Sequence, residues 1–168
     1  MQPIAILPAL QADAKLIREL AYKIWPGVYE HILTPDQLKY MLDLLYNEET
    51  LQKQMGQGIA FIIANDGEQP VGFASCGLVH AGVYKLHKIY VLSSQQGKGT
   101  GRTMIDHIIN DIKTKGAHTL LLNVNRHNKA RHFYEKLGFT IVKEEDVDIG
   151  NGYFMNDFVM TKDLRGSQ

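Results

Sequence analysis

Apolar residues along this chain recur first with a helical period and then with that of strands. Ile4-Ala5-Ile6-Leu7 predicts a short first strand. From Asp13 a helix carries Leu16, Ile17, Leu20, Ala21, Ile24 and Trp25 on one face, and Pro26-Gly27 predicts its end. Thr34-Pro35-Asp36-Gln37 opens a second helix, with Thr34 as N-cap, Pro35 at the first helical position and Gln37 completing a capping box. Leu38, Met41, Leu42 and Leu45 form its apolar face, and Asn47 opens a third helix over Glu48–Met55.

After Gly56 and Gly58 the period changes. Ile59–Ala64, a turn at Asn65-Asp66-Gly67, and Val71–Val79 predict a hairpin, and His80-Ala81-Gly82 turns into the strand Val83–Leu92. Met104, Ile105, Ile108, Ile109 and Ile112 form the stripe of a helix that ends near Gly116. Leu120-Leu121-Leu122 begins a buried strand that runs on to Asn125, Lys129–Leu137 a short helix and Thr140–Val147 a strand. A turn at Gly150-Asn151-Gly152 leads to the last strand, Tyr153–Met160. This order predicts an α/β (α+β) domain over 1–168. It has one mixed, mostly antiparallel twisted sheet of about seven strands, with helices on both faces.

Composition narrows the class. Lys+Arg and Asp+Glu are 18 each in 168 residues, so no global field draws the chain to nucleic acid or an anionic membrane. The one cysteine, Cys76, excludes an internal disulfide framework and a cysteine-based zinc cluster, and fits a reducing compartment. No basic region precedes a long apolar run at the N-terminus, and no stretch approaches a membrane span. The expectation is a soluble, cytoplasmic protein with no metal.

The chemistry gathers where the strand Ile89-Tyr90-Val91 runs into Gln96-Gly97-Lys98-Gly99-Thr100-Gly101 and then a helix. Glycines at alternate positions let backbone N–H groups converge, and the helix N-terminus adds unpaired donors, a combination suited to a phosphate. The spacing is neither Walker A nor the dinucleotide fingerprint. Alone, the hexapeptide also suits a glycine-rich turn ahead of an ordinary helix. A second stretch, Asn128-Lys129-Ala130-Arg131-His132-Phe133-Tyr134-Glu135-Lys136-Leu137-Gly138-Phe139, reads as a capped helix whose inner side carries Ala130, Phe133, Tyr134 and Leu137.

Together the two stretches resemble the Q/R-x-x-G-x-G/A loop and the N-x-x-A-x-x-F-Y-x-x-x-G-F helix of the GNAT superfamily of N-acetyltransferases. The likeness covers about residues 59 to 161. It implies the GNAT fold and transfer of acetyl from acetyl-CoA directly to a primary amine. By the resemblance, the backbone of Ile89, Tyr90 and Val91 pairs with pantetheine, and Gln96, Gly97, Lys98, Gly99, Thr100 and Gly101 hold the pyrophosphate. Asn128 touches the pantetheine arm, and Tyr134 protonates the leaving thiolate. Lys98, Arg102 and Lys136 are either phosphate contacts or solvated surface cations.

Acyl transfer needs a neutral amine, N–H donors for the oxyanion and an acid for the thiolate. The Tyr90–Val91 backbone is the candidate donor. Many GNAT enzymes carry a glutamate base on the central strand, but no acid lies between Val83 and Leu92. His87 is the group there with a suitable pKa, in a Leu-His-x-x-x-Val context similar to arylalkylamine N-acetyltransferases. Glu30 and His31 are lesser candidates. Trp25, Tyr29 and His31 are expected to bind the acceptor. Glu144-Glu145-Asp146 and Asp148 either attract a polycation or are solvated. Leu33-Thr34-Pro35-Asp36-Gln37-Leu38 is faintly similar to bacterial polyamine acetyltransferases, so the expected acceptor is a small amine, polyamine-like or arylalkylamine-like. The alternatives are a protein N-terminal or lysine amine and a non-catalytic coenzyme A-binding regulatory module. The family's dimers add a homodimer to the expectations.

Overall fold

The computed structural model describes residues 3–166. Seven strands form one sheet in the order β1-β2-β3-β4-β5-β7-β6. They are β1 (Ile4–Pro8), β2 (Ala60–Asp66), β3 (Gln69–His80), β4 (Val83–Val91), β5 (Thr119–Asn125), β6 (Thr140–Gly150) and β7 (Tyr153–Asp163). Every neighbouring pair is antiparallel except β4 and β5, which are parallel. The helices are α1 (Ala14–Tyr29), α2 (Pro35–Leu45), α3 (Glu48–Gly56), α4 (Thr100–Thr114) and α5 (Ala130–Lys136).

Each face of the sheet has its own core. On one, α4 buries Met104, Ile105, Ile108 and Ile112 against Leu86, Leu120 and Leu122. Each such side chain contributes about 1.5–3 kcal/mol by leaving water. On the other, α1–α3 bury Ile17, Leu20, Ile24, Met41 and Leu51 against Phe61, Ile63 and Phe73. The two periods of the sequence match these faces.

Two helix signals resolve differently from the sequence expectation. α1 does not stop at Pro26 but continues through it to Tyr29. Proline inside a helix removes a hydrogen bond, at about 3 kcal/mol. Here burial of Trp25 and Tyr29, whose tilted rings pack with centroids 4.6 Å apart, holds the last turn. At α2, Thr34 Oγ1 accepts from Gln37 N at 3.1 Å as a cap should. The Gln37 side chain does not close the box. Its amide instead donates to Phe154 O at 2.9 Å, tying α2 to β7.

The β6–β7 turn is Asn151-Gly152, and φ is 55° and 78° at its two residues. That is the primed geometry matching the twist of the strands.

Candidate active site

The site begins with a defect in strand pairing. Opposite β3, Ser75 pairs with Lys88 and Cys76 with Leu86, leaving His87 as the extra residue of a bulge. On the other side β4 pairs with β5 only from Val83↔Thr119 to Leu86↔Leu122. Beyond that pair the two strands part, although β4 runs on to Val91 and β5 to Asn125. A bulge bends its strand, and the bend opens a wedge in the middle of the sheet. His87 and Asn123 follow the last pair and stand at its apex.

Leu92 N–H bonds Val71 O on β3 at 2.8 Å. Successive residues of a strand turn their amides to opposite neighbours. Those of Ile89 and Val91 therefore face the wedge, while that of Tyr90 faces β3. Of the expected oxyanion donors, Val91 is the one turned toward the opening.

The wedge is part of a cleft of about 740 Å³. The glycine loop forms its far wall. Gly97 and Gly99 have φ of 78° and 81°, the left-handed region, and a Cβ built on either meets nothing within 4 Å. The first helical bond of α4 at this end runs from Thr103 N–H to Gly99 O at 3.0 Å. The N–H groups of Thr100, Gly101 and Arg102 are therefore without helical acceptors. Open space, convergent donors and the helix's partial positive charge fit a pyrophosphate.

Gln95 sets the shape of this loop. The residue is 5% exposed, and its side chain accepts from Thr100 Oγ1 at 2.8 Å and donates to Asp66 Oδ2 at 3.1 Å. The Thr100 hydroxyl is thus turned inward and leaves its amide for a ligand. The motif spacing drew attention to Gln96, and nothing in the pattern singled out Gln95.

Tyr134 lines the cleft from α5, where Gly138, at φ +96°, ends the helix. Burial pushes its phenol well above the usual value, so it carries its proton throughout the ordinary pH range. Asn128 lines the cleft too, and its Oδ1 accepts Ala130 N–H at 2.9 Å, capping α5. Tyr29 closes the opposite side, bonded through its hydroxyl to that of Tyr90 at 2.9 Å. Burial raises the Tyr29 phenol to about 12.

His87 lines the cleft with much of its surface open to it. Even so, desolvation, with the charges of Lys85 and Lys88, pushes its imidazole down to about 4. It is neutral at physiological pH, able to accept a hydrogen bond but a weaker base than an ordinary histidine. His31 also lines the cleft, with its side chain 90% exposed and Glu30 at 3.3 Å.

Three expected site residues lie elsewhere. Trp25 is 2% exposed and packs against Tyr29, Tyr46 and Tyr90 in the core, so it supports the acceptor wall from behind. Lys98 and Lys136 are exposed and do not line the cleft. Arg102 does line it, 3.9 Å from Asp106. The cleft adds His127, Lys129 and Asn123. Asn123 was legible only as a polar interruption of the apolar run Leu120–Val124.

Among the described residues no three His, Cys, Asp or Glu side chains gather as a metal site requires. No helix there is long and apolar enough to cross a membrane.

This geometry agrees with what the chain is similar to. The sequence profile of the acetyltransferase (GNAT) domain matches residues 32–159, and the chain belongs to that family of acetyl-CoA-dependent N-acetyltransferases. The ribosomal protein bS18-alanine N-acetyltransferase of Haemophilus influenzae is 34% identical over 105 residues, 62% of this chain and 68% of that one. An L-amino acid N-acyltransferase of Escherichia coli is 30% identical over 59 residues, 34% of each chain. Among solved structures, the PaiA N-acetyltransferase of Thermoplasma acidophilum in complex with coenzyme A superposes with a TM-score of 0.83. It shares 24% identity, over 96% of this chain and 99% of that one. The expected fold, enzyme class and cosubstrate therefore stand.

Proposed function

We propose that the chain, as one catalytic domain, acetylates the primary amine of a small molecule. The observation that carries this reading is the bracing of the acceptor side. Gln37 Nε2 donates to Phe154 O at 2.9 Å, and Tyr40 Oη to Ile149 O at 2.8 Å. These bonds join α2, the helix that follows the cleft-lining residues Tyr29, His31 and Ile32, to the β6–β7 hairpin. The segment we assign to the acceptor thus leads into a braced pair of elements. A folded protein substrate would have to part them, whereas a small amine would not.

In the proposed reaction the amine nitrogen bonds to the thioester carbon, and the carbon–sulfur bond breaks with its electron pair going to sulfur. The Val91 N–H stabilises the oxyanion, and Tyr134 donates its proton to the departing thiolate. His87, neutral at the apex, accepts a hydrogen bond from the amine or from a water that removes its proton. Arg102 and the amides of the glycine loop hold the coenzyme's phosphates. Cys76, a buried free thiol that burial pushes up to about 12, suits the reducing cytoplasm in which we place the reaction.

A second reading is an N-terminal α-amine of a protein. It is favoured by the similarity to the bS18-alanine N-acetyltransferase and by chemistry. An α-amine has a pKa of about 8 against about 10.4 for an alkylamine, so it needs less help from a weak base.

The test is release of CoA with phenethylamine, spermidine, L-methionine and a tetrapeptide beginning with alanine. The small-molecule reading expects the highest kcat/KM with one of the first three. A preference for the tetrapeptide by tenfold or more would overturn it.

A further inference from the structure

Asn123 is the first residue of β5 past its last pairing with β4, across the wedge from His87. It lies on the same face of the sheet as two carboxylates, Asp157 on the adjacent β7 and Glu145 on β6 beyond it. Its Nδ2 donates to Glu145 Oε1 at 3.1 Å and to Asp157 Oδ2 at 3.2 Å. Carboxylates accept and do not donate when ionised, so both amide hydrogens are committed and the amide cannot flip. Its Oδ1 is the remaining polar atom of a side chain that lines the cleft. Among the described residues that oxygen has no hydrogen-bond partner, and it is not among the enclosed atoms that lack one.

The support behind it is firm. Asp157 is 7% exposed, and its own Oδ1 is buried without a partner. Arg126 anchors the far side, with Nε to Asp157 O at 3.2 Å and Nη2 to Asp146 Oδ1 at 2.8 Å. A neutral amide carbonyl backed by two carboxylates is a strong acceptor for N–H and a weak one for a proton.

We infer that Asn123 Oδ1 receives the acceptor amine, and that Asp157 and Glu145 are positioning residues acting through it. This rests on acetyl transfer to an amine in this cleft, as read above. A primary amine has an N–H to give to Oδ1, which orients its lone pair toward the thioester carbon. As the nitrogen–carbon bond forms, the nitrogen becomes positive, and the carbonyl dipole with its two carboxylates stabilises that charge. The ligand class is a primary amine that reaches the apex as a cation or neutral base. A neutral alcohol brings one uncharged O–H to it, loses that donor if it attacks as an alkoxide, and so gains less from it.

The test has two arms. In the first, acceptor kinetics are measured with whichever of the four amines above is turned over. Asn123→Leu should raise acceptor KM about tenfold, the worth of one such hydrogen bond, and leave the KM for acetyl-CoA unchanged. Glu145→Ala, at a side chain 40% exposed, frees one amide hydrogen and should raise acceptor KM by a smaller factor. Glu145→Gln still offers an oxygen to Asn123 and should return KM to the wild-type value. Unchanged acceptor KM in Asn123→Leu overturns the inference while leaving the small-amine reading intact.

The second arm does not depend on turnover. The Asn123 side-chain amide resonances are assigned by their loss in Asn123→Leu. In protein saturated with CoA they should shift on titration with phenethylammonium chloride, and less so with benzyl alcohol. If none of the four amines is acetylated, the reading of the acceptor fails, and this arm alone decides. An absent shift, or an equal one with the alcohol, then overturns the role of Asn123.

Discussion

Tyr29 and Tyr90 share a hydrogen bond of 2.9 Å between their hydroxyls, joining the last turn of α1 to the central strand beside the cleft. Both rings pack on Trp25, with centroids at 4.6 and 5.6 Å. The helix that runs through Pro26 is thereby fixed to the strand that carries the wedge. Tyr90→Phe leaves the buried Tyr29 hydroxyl without this partner, and chemical denaturation should show a loss of about 1–3 kcal/mol. Replacing both tyrosines by phenylalanine should cost less than the single change.

The acid role we propose for Tyr134 is supported by a ring held in the core and a phenol that keeps its proton. Tyr134→Phe preserves the ring, so thermal melting and acetyl-CoA affinity should match the wild type. Turnover should fall by about 10²–10⁴-fold, the usual loss of a general acid. A wild-type rate, with chemistry rate-limiting, would reduce Tyr134 to a packing residue.

Partial desolvation, with the charges of Lys85 and Lys88, pushes the His87 imidazole down from 6.5 to about 4. A histidine depressed in the folded state opposes folding wherever the unfolded chain binds a proton and the native chain does not. That penalty is therefore absent above about 6.5 and grows as pH falls toward 4, so stability is lost across that window. His87→Gln should flatten the dependence of Tm on pH across that window. In the wild type, the acidic limb of kcat/KM should lie near 4, below the 6–7 range that an unperturbed histidine gives. A limb at 6–7 would assign the base to another group.

At the glycine loop the backbone requirement and the space for a ligand coincide. Gly99→Glu places a side chain and a negative charge where a Cβ has nothing within 4 Å, in a left-handed conformation that costs an L-residue roughly 1–2 kcal/mol. Calorimetry should show acetyl-CoA affinity reduced by at least tenfold. Gly116→Glu, with φ +88° and similarly open space at the far end of α4, carries the same strain and should leave affinity unchanged.

The sequence alone determined the elements, because each is a local matter of period and punctuation. Thr34 and Asn47 cap α2 and α3 as their spacing requires, and Asn151-Gly152 turns β6 into β7. The glycines at 97, 99 and 101 and the Phe133-Tyr134 pair marked two walls of the cleft, since a glycine-rich loop and a buried hydroxyl leave local signatures. Tertiary structure decided what depends on neighbours distant in the chain. Pro26 reads as a stop, yet packing of Trp25 and Tyr29 outweighs the lost hydrogen bond. Gln37 reads as half of a capping box, but Phe154 O, 117 residues away, takes its amide. His87 reads as an ordinary base, and partial desolvation with the charges of Lys85 and Lys88 makes it a weak one. Asn123 carries no motif. Its place at the apex follows from where β4 bends away from β5, and its orientation from carboxylates 22 and 34 residues further along the chain.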